Sequence, residues 1–271
     1  MSIRKIIAGV HLRLINSSFS RIYAALILTP EVTKTIDGMK FSIPSGYINF
    51  WVEWFGTHPQ EKPTRDWLRE NVKEGDLVYN VGAHIGWYVV FLQKLGAKVT
   101  AFEPEPINFA ELVKNSRLNG KATLYPAAVS NRNGWADFHV VDTRAGNASG
   151  YLDTYNVEKD IAVGCTKVPM MTLSDLPSPD ILLIDVDGGE VDVLEGANLE
   201  NTRAVIVEVD ERSAKAVNDL LEGAGEKGFV FSEATKFENG LMLDTRDGKF
   251  ENGLRIDRRR GNMIYVTRRE S

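Results

Sequence analysis

Acidic residues stand where this sequence would put strand tips. The apolar run ILLID closes on Asp185, and AVIVEVD carries Glu208 and Asp210 at its end. In open α/β sheets, ligands bind outside the carboxyl ends of the strands, so acids from neighbouring strands can converge there. Asp185, Glu208 and Asp210 could hold Mg²⁺, which would lower the pKa of a bound hydroxyl. Equally, they could form a metal-free acid cluster hydrogen-bonded to a polyol. Asp187 and Glu190 follow in D-x-x-E spacing, which also suits a capping box at the start of the helix-like EVDVLEGA. Capping and function are equal readings for Asp187, and capping is favoured for Glu190.

A second group of residues lies in NVGAHIGWYVVFLQKLGAKVTAFEPEP, from Asn80 to Pro106. A dinucleotide fingerprint would read G-x-G-x-x-G, whereas Gly82 and Gly86 are spaced G-x-x-x-G, which disfavours NAD. No G-K-[ST] follows that could meet nucleotide phosphates and magnesium. S-adenosylmethionine has no pyrophosphate. It needs a turn whose backbone can approach the methionine moiety, then an acid at the next strand tip for the ribose hydroxyls. Glu103 lies 17 residues beyond Gly86, close to the interval of the ribose acid in dinucleotide folds. A carboxylate there can accept from both ribose hydroxyls.

The elements that would position these groups alternate. DLVYNVG is an apolar run ending at a glycine, WYVVFLQKLG has helical spacing and a terminal glycine, and KVTAFE is strand-like again. NFAELVKNSRLNG predicts a helix with Asn108 and Glu111 spaced as N-cap and reciprocal acid. ATLYPAAVS reads as one strand. ILLIDVD, RAVIVEVD, FVFSEATKF and NMIYVTRR supply further strands, and SAKAVNDLLEGAGEKG another helix. The pattern predicts an α/β doubly wound, mostly parallel sheet with an antiparallel C-terminal edge. Residues 1–60 are expected to form an N-terminal helical leader and residues 61–271 the ligand-binding domain. The polar stretch TRAGNASGYLDTYNVEKDIAVGCTK suits a substrate lid.

The chain has 271 residues, 43% hydrophobic and 25% charged, with a net charge of −5. These proportions are those of a globular protein, and the charge gives no case for nucleic acid as a partner. One cysteine, Cys165, excludes an internal disulfide framework and fits a reducing, cytoplasmic compartment. Residues 1–28 carry Arg4, Lys5, Arg13 and Arg21 and no acid. Such a helix could lie peripherally on an anionic membrane surface, but packing on the protein's own core or on the second copy of a homodimer is the favoured reading.

Read together, NVGAHIG, FEPEP, AAVSNRNG, VPMMTLSDL, LLIDVDGGEVDVLEGA and VIVEVDE, in this order, resemble the FkbM-type S-adenosylmethionine-dependent methyltransferases. The resemblance covers roughly residues 50 to 268. It implies the class I methyltransferase fold, a Rossmann-like seven-stranded sheet, and methyl transfer to a hydroxyl of a carbohydrate, glycan or natural product. It implies that Asp185 lies beside the reacting methyl as general base or substrate-orienting group, with Asp187, Glu208 and His84 as further catalytic candidates. It places Asn80, Gly82, Ala83, His84, Gly86, Trp87, Glu103, Pro104, Asn108, Ala128, Val129 and Asp185 at the cofactor, with Glu61 from the preceding segment. Two positions depart from the usual D-V-G-A-N-I-G: Asn80 replaces aspartate and His84 replaces asparagine. Asn80 can still accept from the methionine ammonium but lacks charge assistance, worth on the order of 1 kcal/mol. A scaffold that binds cofactor without catalysis, and a methyltransferase acting on nitrogen or carbon, are the alternatives.

Overall fold

The computed structural model describes residues 31–44, 61–143, 147–152, 162–209, 229–231 and 262–268, with four isolated positions between 213 and 220. In chain order the elements are β1 (Glu31–Ile36), β2 (Met39–Pro44), α1 (Glu61–Asn71), β3 (Leu77–Val81), α2 (Trp87–Lys94), β4 (Lys98–Phe102), α3 (Pro106–Asn119), β5 (Ala122–Tyr125), β6 (Ala128–Val129), β7 (Gly134–Thr143), β8 (Asn147–Leu152), β9 (Ala162–Met171), β10 (Ile181–Ile184), α4 (Glu190–Glu195), β11 (Ala204–Val209), β12 (Phe229–Phe231) and β13 (Asn262–Arg268).

Among the described residues, seven strands build the main sheet in the order β12-β13-β11-β10-β3-β4-β5. The strands from β11 to β5 are parallel, while β13 runs against β11 and β12 against β13. The antiparallel C-terminal edge is therefore as expected, and the sheet has the class I methyltransferase order. Strands buried on both faces need apolar residues at every position, and the pleat then deals them to opposite layers. Ile181 and Leu183 of β10 enter one core with α2, while Leu182 and Ile184 enter the other with Val193 and Leu194 of α4. This double coverage fixes β3, β4 and β10 and presents their carboxyl ends together.

Two expectations are corrected. The part of the leader that is described is not helical: β1 and β2 form an antiparallel hairpin, with Met39 and Phe41 each 1% exposed in the core of α2. Residues 1–30, including the basic segment, lie outside the described residues. ATLYPAAVS is not one strand. Pro126, which has no N–H to donate, falls between β5, in the main sheet, and β6, in a second sheet of order β6-β9-β7-β8. The described parts of the stretch read as a substrate lid belong to β7, β8 and β9 of that second sheet, and residues 144–146 and 153–161 lie outside the described residues. Phe138, Val140, Leu152, Val168 and Met170 belong to a small core of their own, and Cys165 and Lys167, at alternate positions earlier in β9, are exposed.

Candidate active site

Tight backbone packing shapes the turn from Gly82 to Gly86. The N–H groups of Gly82 and Ala83 both donate to the carbonyl of Phe102, at 3.0 and 2.9 Å, which ties the end of β3 to the end of β4. Gly82 has φ +81°, and a Cβ there would lie 1.8 Å from the carbonyl oxygen of Asp185. Only glycine lets the tips of β3 and β10 touch backbone to backbone. Gly86, at φ +95°, opens α2 without a side-chain cap, and a Cβ on it would meet Leu112 of α3 at 2.7 Å. Between them His84 takes φ +51°, a left-handed conformation rare for a residue with a side chain.

Glu103 stands at the tip of β4 and is 5% exposed. Its Oε2 accepts the N–H of His84 at 2.7 Å and its Oε1 accepts the N–H of Glu105 at 2.9 Å. Burial raises its pKa to about 7; the two backbone donors and the side chain of Asn108 oppose that rise without cancelling it. Burial lowers the pKa of His84 to about 4, so its ring is neutral at physiological pH. Asn80 is 1% exposed on β3, and its Oδ1 is a buried acceptor with no hydrogen-bond partner among the described residues.

Across the turn, the N–H of Asp185 donates to the carbonyl of Val81 at 2.9 Å, extending the β3 to β10 register by one residue. Its side chain meets Glu208 from β11. Burial, the neighbouring charge and a hydrogen bond between the two carboxyl groups hold Asp185 well above the usual carboxylate range. Burial and the neighbouring carboxyl group both favour the protonated form of Asp185. An open cavity lies beside these tips, lined by Val81, Gly82, Phe102, Pro104, Ala127, Ala128, Val129, Phe138, Gly150, Tyr151, Leu152, Val186, Asp187 and Gly189.

The expected site residues divide accordingly. Asn80, Gly82, Ala83, His84, Gly86 and Glu103 gather in and around one turn, and Pro104, Ala128, Val129 and Asp187 line the cavity beside it. Trp87 does not. It is 3% exposed in the core, stacked on Phe41 of the leader hairpin at 5.0 Å. Asn108 is not the N-cap of α3. That cap is Glu105, whose carboxylate accepts the N–H of Asn108 at 2.7 Å, with Pro106 at the first helical position. Asp187 does not cap α4 either: the N-cap is Gly189, without a side-chain cap bond, and Glu190 turns back to accept the N–H of Gly188 at 3.0 Å. Glu61 is the first residue of α1. Asp210 lies outside the described residues, among which no three His, Cys, Asp or Glu side chains are grouped to hold a metal ion.

Sequence reasoning missed Glu105, although Pro106 before an apolar periodic run is a signal of a helix starting with proline at N1 and so of a cap at the residue before it. It also missed Phe138, Tyr151 and Leu152, which the second sheet brings to the cavity. No local signal marks them, because their approach depends on how that sheet packs.

The family model described as Methyltransferase FkbM domain matches residues 80–231, more than half of the chain, from the glycine turn through both acidic strand tips. The chain belongs to the FkbM methyltransferase family. Among curated relatives, the hexuronic acid methyltransferase AglP of Haloferax volcanii is 28% identical over 148 residues, 52% of this chain and 59% of AglP. The 31-O-demethyl-FK506 methyltransferase FkbM of Streptomyces tacrolimicus is 45% identical over 56 residues, 19% of this chain and 22% of that protein. The chain therefore spans well under two thirds of the length of either relative. Solved structures with a related shape include the ribosomal protein L11 methylase of Lactobacillus delbrueckii subsp. bulgaricus, with a TM-score of 0.45 at 14% identity over 79% of this chain and 81% of that one. Another is the tRNA (uracil-54, C5)-methyltransferase of Pyrococcus abyssi, with a TM-score of 0.45 at 12% identity over 76% of this chain and 40% of that one. Among the described residues no helix is long and apolar enough to cross a membrane.

Proposed function

We propose that this chain is an S-adenosylmethionine-dependent O-methyltransferase whose acceptor is a hydroxyl of a carbohydrate or natural product. One observation carries the reading: a buried acceptor without a partner, a left-handed glycine turn and a clamped carboxylate occupy three successive places around one turn. Asn80 Oδ1 suits an ammonium donor, because a buried unsatisfied acceptor costs about 1 to 3 kcal/mol that a cationic ligand would recover. The backbone at Gly82 leaves no room for a side chain, as a close ligand approach requires. Glu103, with both oxygens oriented by backbone donors, retains lone pairs for the two ribose hydroxyls. Pro104, Ala128 and Val129 give the adjoining cavity the apolar walls that a purine plane would need.

When bound, the cofactor supplies an electrophilic methyl group. The protein's part is to orient the acceptor hydroxyl and take its proton as the new oxygen-carbon bond forms. Asp185 is the group for that step. It follows the end of β10 against Gly82, and its side chain is hydrogen-bonded to Glu208, so a pair of carboxyl groups stands at the strand tips to receive that proton. Asp187, on the cavity wall, orients the acceptor. A carbohydrate acceptor is favoured because AglP, by its name, is a hexuronic acid methyltransferase, and a hydroxyl because FkbM, by its name, acts at a 31-O position.

Titration calorimetry with S-adenosylmethionine, and separately with NAD, tests the cofactor. Binding of the first alone is expected, followed by S-adenosylhomocysteine release on a panel of hydroxylated glycans. Binding of NAD instead, or of neither, would overturn the reading.

A further inference from the structure

Asn115 on α3 is fully buried, and both ends of its amide are engaged. Its Oδ1 accepts the N–H of Ser42 in β2 at 2.7 Å, and its Nδ2 donates to the carbonyl of Ile85 at 2.8 Å. One side chain thus joins the leader hairpin to the middle of the glycine turn. Asn119, one helical turn on, also holds the hairpin, accepting the Lys40 N–H at 2.8 Å and donating to the Lys40 carbonyl at 2.7 Å. No contact of Asn119 reaches the turn among these bonds. Phe41, between the two, stacks on Trp87, the residue after Gly86.

The turn needs outside support. His84 is held at φ +51° between Gly82 at +81° and Gly86 at +95°, and a non-glycine residue in that region persists only where its surroundings over-determine it. His84 also supplies one of the N–H groups that orient Glu103. Whatever fixes Ile85 therefore fixes the residue next to it that aims the carboxylate.

We propose that Asn115 is a positioning residue for the cofactor, coupling the β1–β2 hairpin to the glycine turn so that the docked hairpin holds the turn in its binding shape. This rests on the reading that the turn binds S-adenosylmethionine. The leader is then part of the binding machinery, although none of its described residues lines the cavity.

The test compares Asn115→Ala, Asn119→Ala and Ser42→Pro in the full chain, by thermal melting and by titration with S-adenosylmethionine across pH. Both asparagine variants are expected to lower Tm. Only Asn115→Ala is expected to weaken cofactor binding, by about tenfold, the worth of one buried hydrogen bond. It should also move the pH midpoint of binding upward, because Glu103 loses the His84 N–H while Glu105 and Asn108 still face it. Ser42→Pro removes the hairpin's donor without altering α3 or the turn, at an N–H directed away from the strand partner, where proline is tolerated. It should shift affinity and midpoint in the same direction, and it carries the test if Asn115→Ala does not fold. Affinity and midpoint in Asn115→Ala and Ser42→Pro equal to those of Asn119→Ala would overturn this proposal alone. No binding by the wild-type protein would overturn the cofactor reading and this proposal with it.

Discussion

Replacing Glu103 by glutamine tests the site at its most constrained residue. Both carboxylate oxygens accept backbone N–H groups, at 2.7 and 2.9 Å. An amide can accept on one side only, and would turn its NH₂ toward a donor on the other. A hydrogen bond to a charged group contributes about 1.5 to 3 kcal/mol against about 0.5 to 1.5 for a neutral one. Glu103→Gln should therefore weaken S-adenosylmethionine binding by about 1 to 3 kcal/mol, roughly 5- to 150-fold. The pH dependence sharpens the test. Burial holds the free protein's Glu103 at about 7, and ribose hydroxyls donate to the ionised form. Wild-type affinity should rise with pH up to that midpoint and then level, whereas the glutamine variant should be flat. Stability follows the opposite course. The folded state retains a proton that the unfolded state has lost, so this residue's contribution to stability falls by about 1.4 kcal/mol per pH unit from the ordinary glutamate value of about 4.5 up to about 7. The variant should lack that decline. Calorimetry one unit below and one unit above the midpoint, paired with melts at the same pH values, decides the matter. Wild-type affinity independent of pH, or a glutamine variant that binds as tightly as wild type above the midpoint, would refute the role of Glu103.

Three other changes probe neighbouring parts of the argument. Gly82→Ala places a methyl 1.8 Å from the Asp185 carbonyl in a left-handed conformation; it should cost above about 4 kcal/mol, the range of exceptional substitutions, and melting should show it. Asp185→Asn should lower kcat by about 10² to 10⁴ while calorimetric cofactor affinity is held within a few fold, and loss of affinity with unchanged kcat would reassign the residue to binding. Phe41→Ala should cost about 3 to 5 kcal/mol by denaturant unfolding, because it opens a cavity against Trp87; a loss under about 1 kcal/mol would mean that the hairpin is not part of the core.

The sequence alone determined the alternation of strands and helices, because strands buried on both faces must be apolar throughout and helices between them must carry their own periodicity and glycine stops. It determined the glycine turn and the acid of FEPEP as well, since their spacing is set locally by a strand, a turn, a helix and a second strand. Only the tertiary structure decided how those residues are used. Trp87 looked like part of the turn and went to the core, since a phenylalanine 46 residues earlier in the chain supplied the stacking surface. Asn108 looked like a cap, but the helix starts earlier: Glu105 is the cap and accepts the N–H of Asn108, with Pro106 at the first helical position. The strand pairing of the polar run after β7 was not legible, because Leu152 meets Phe138, Val168 and Met170 only across strands. Asp185 and Glu208 lie 23 residues apart in sequence, and the register that makes β10 and β11 neighbours brings their carboxyl groups together. A contact between strands depends on which strands pair and which face each side chain takes, and a linear pattern contains neither.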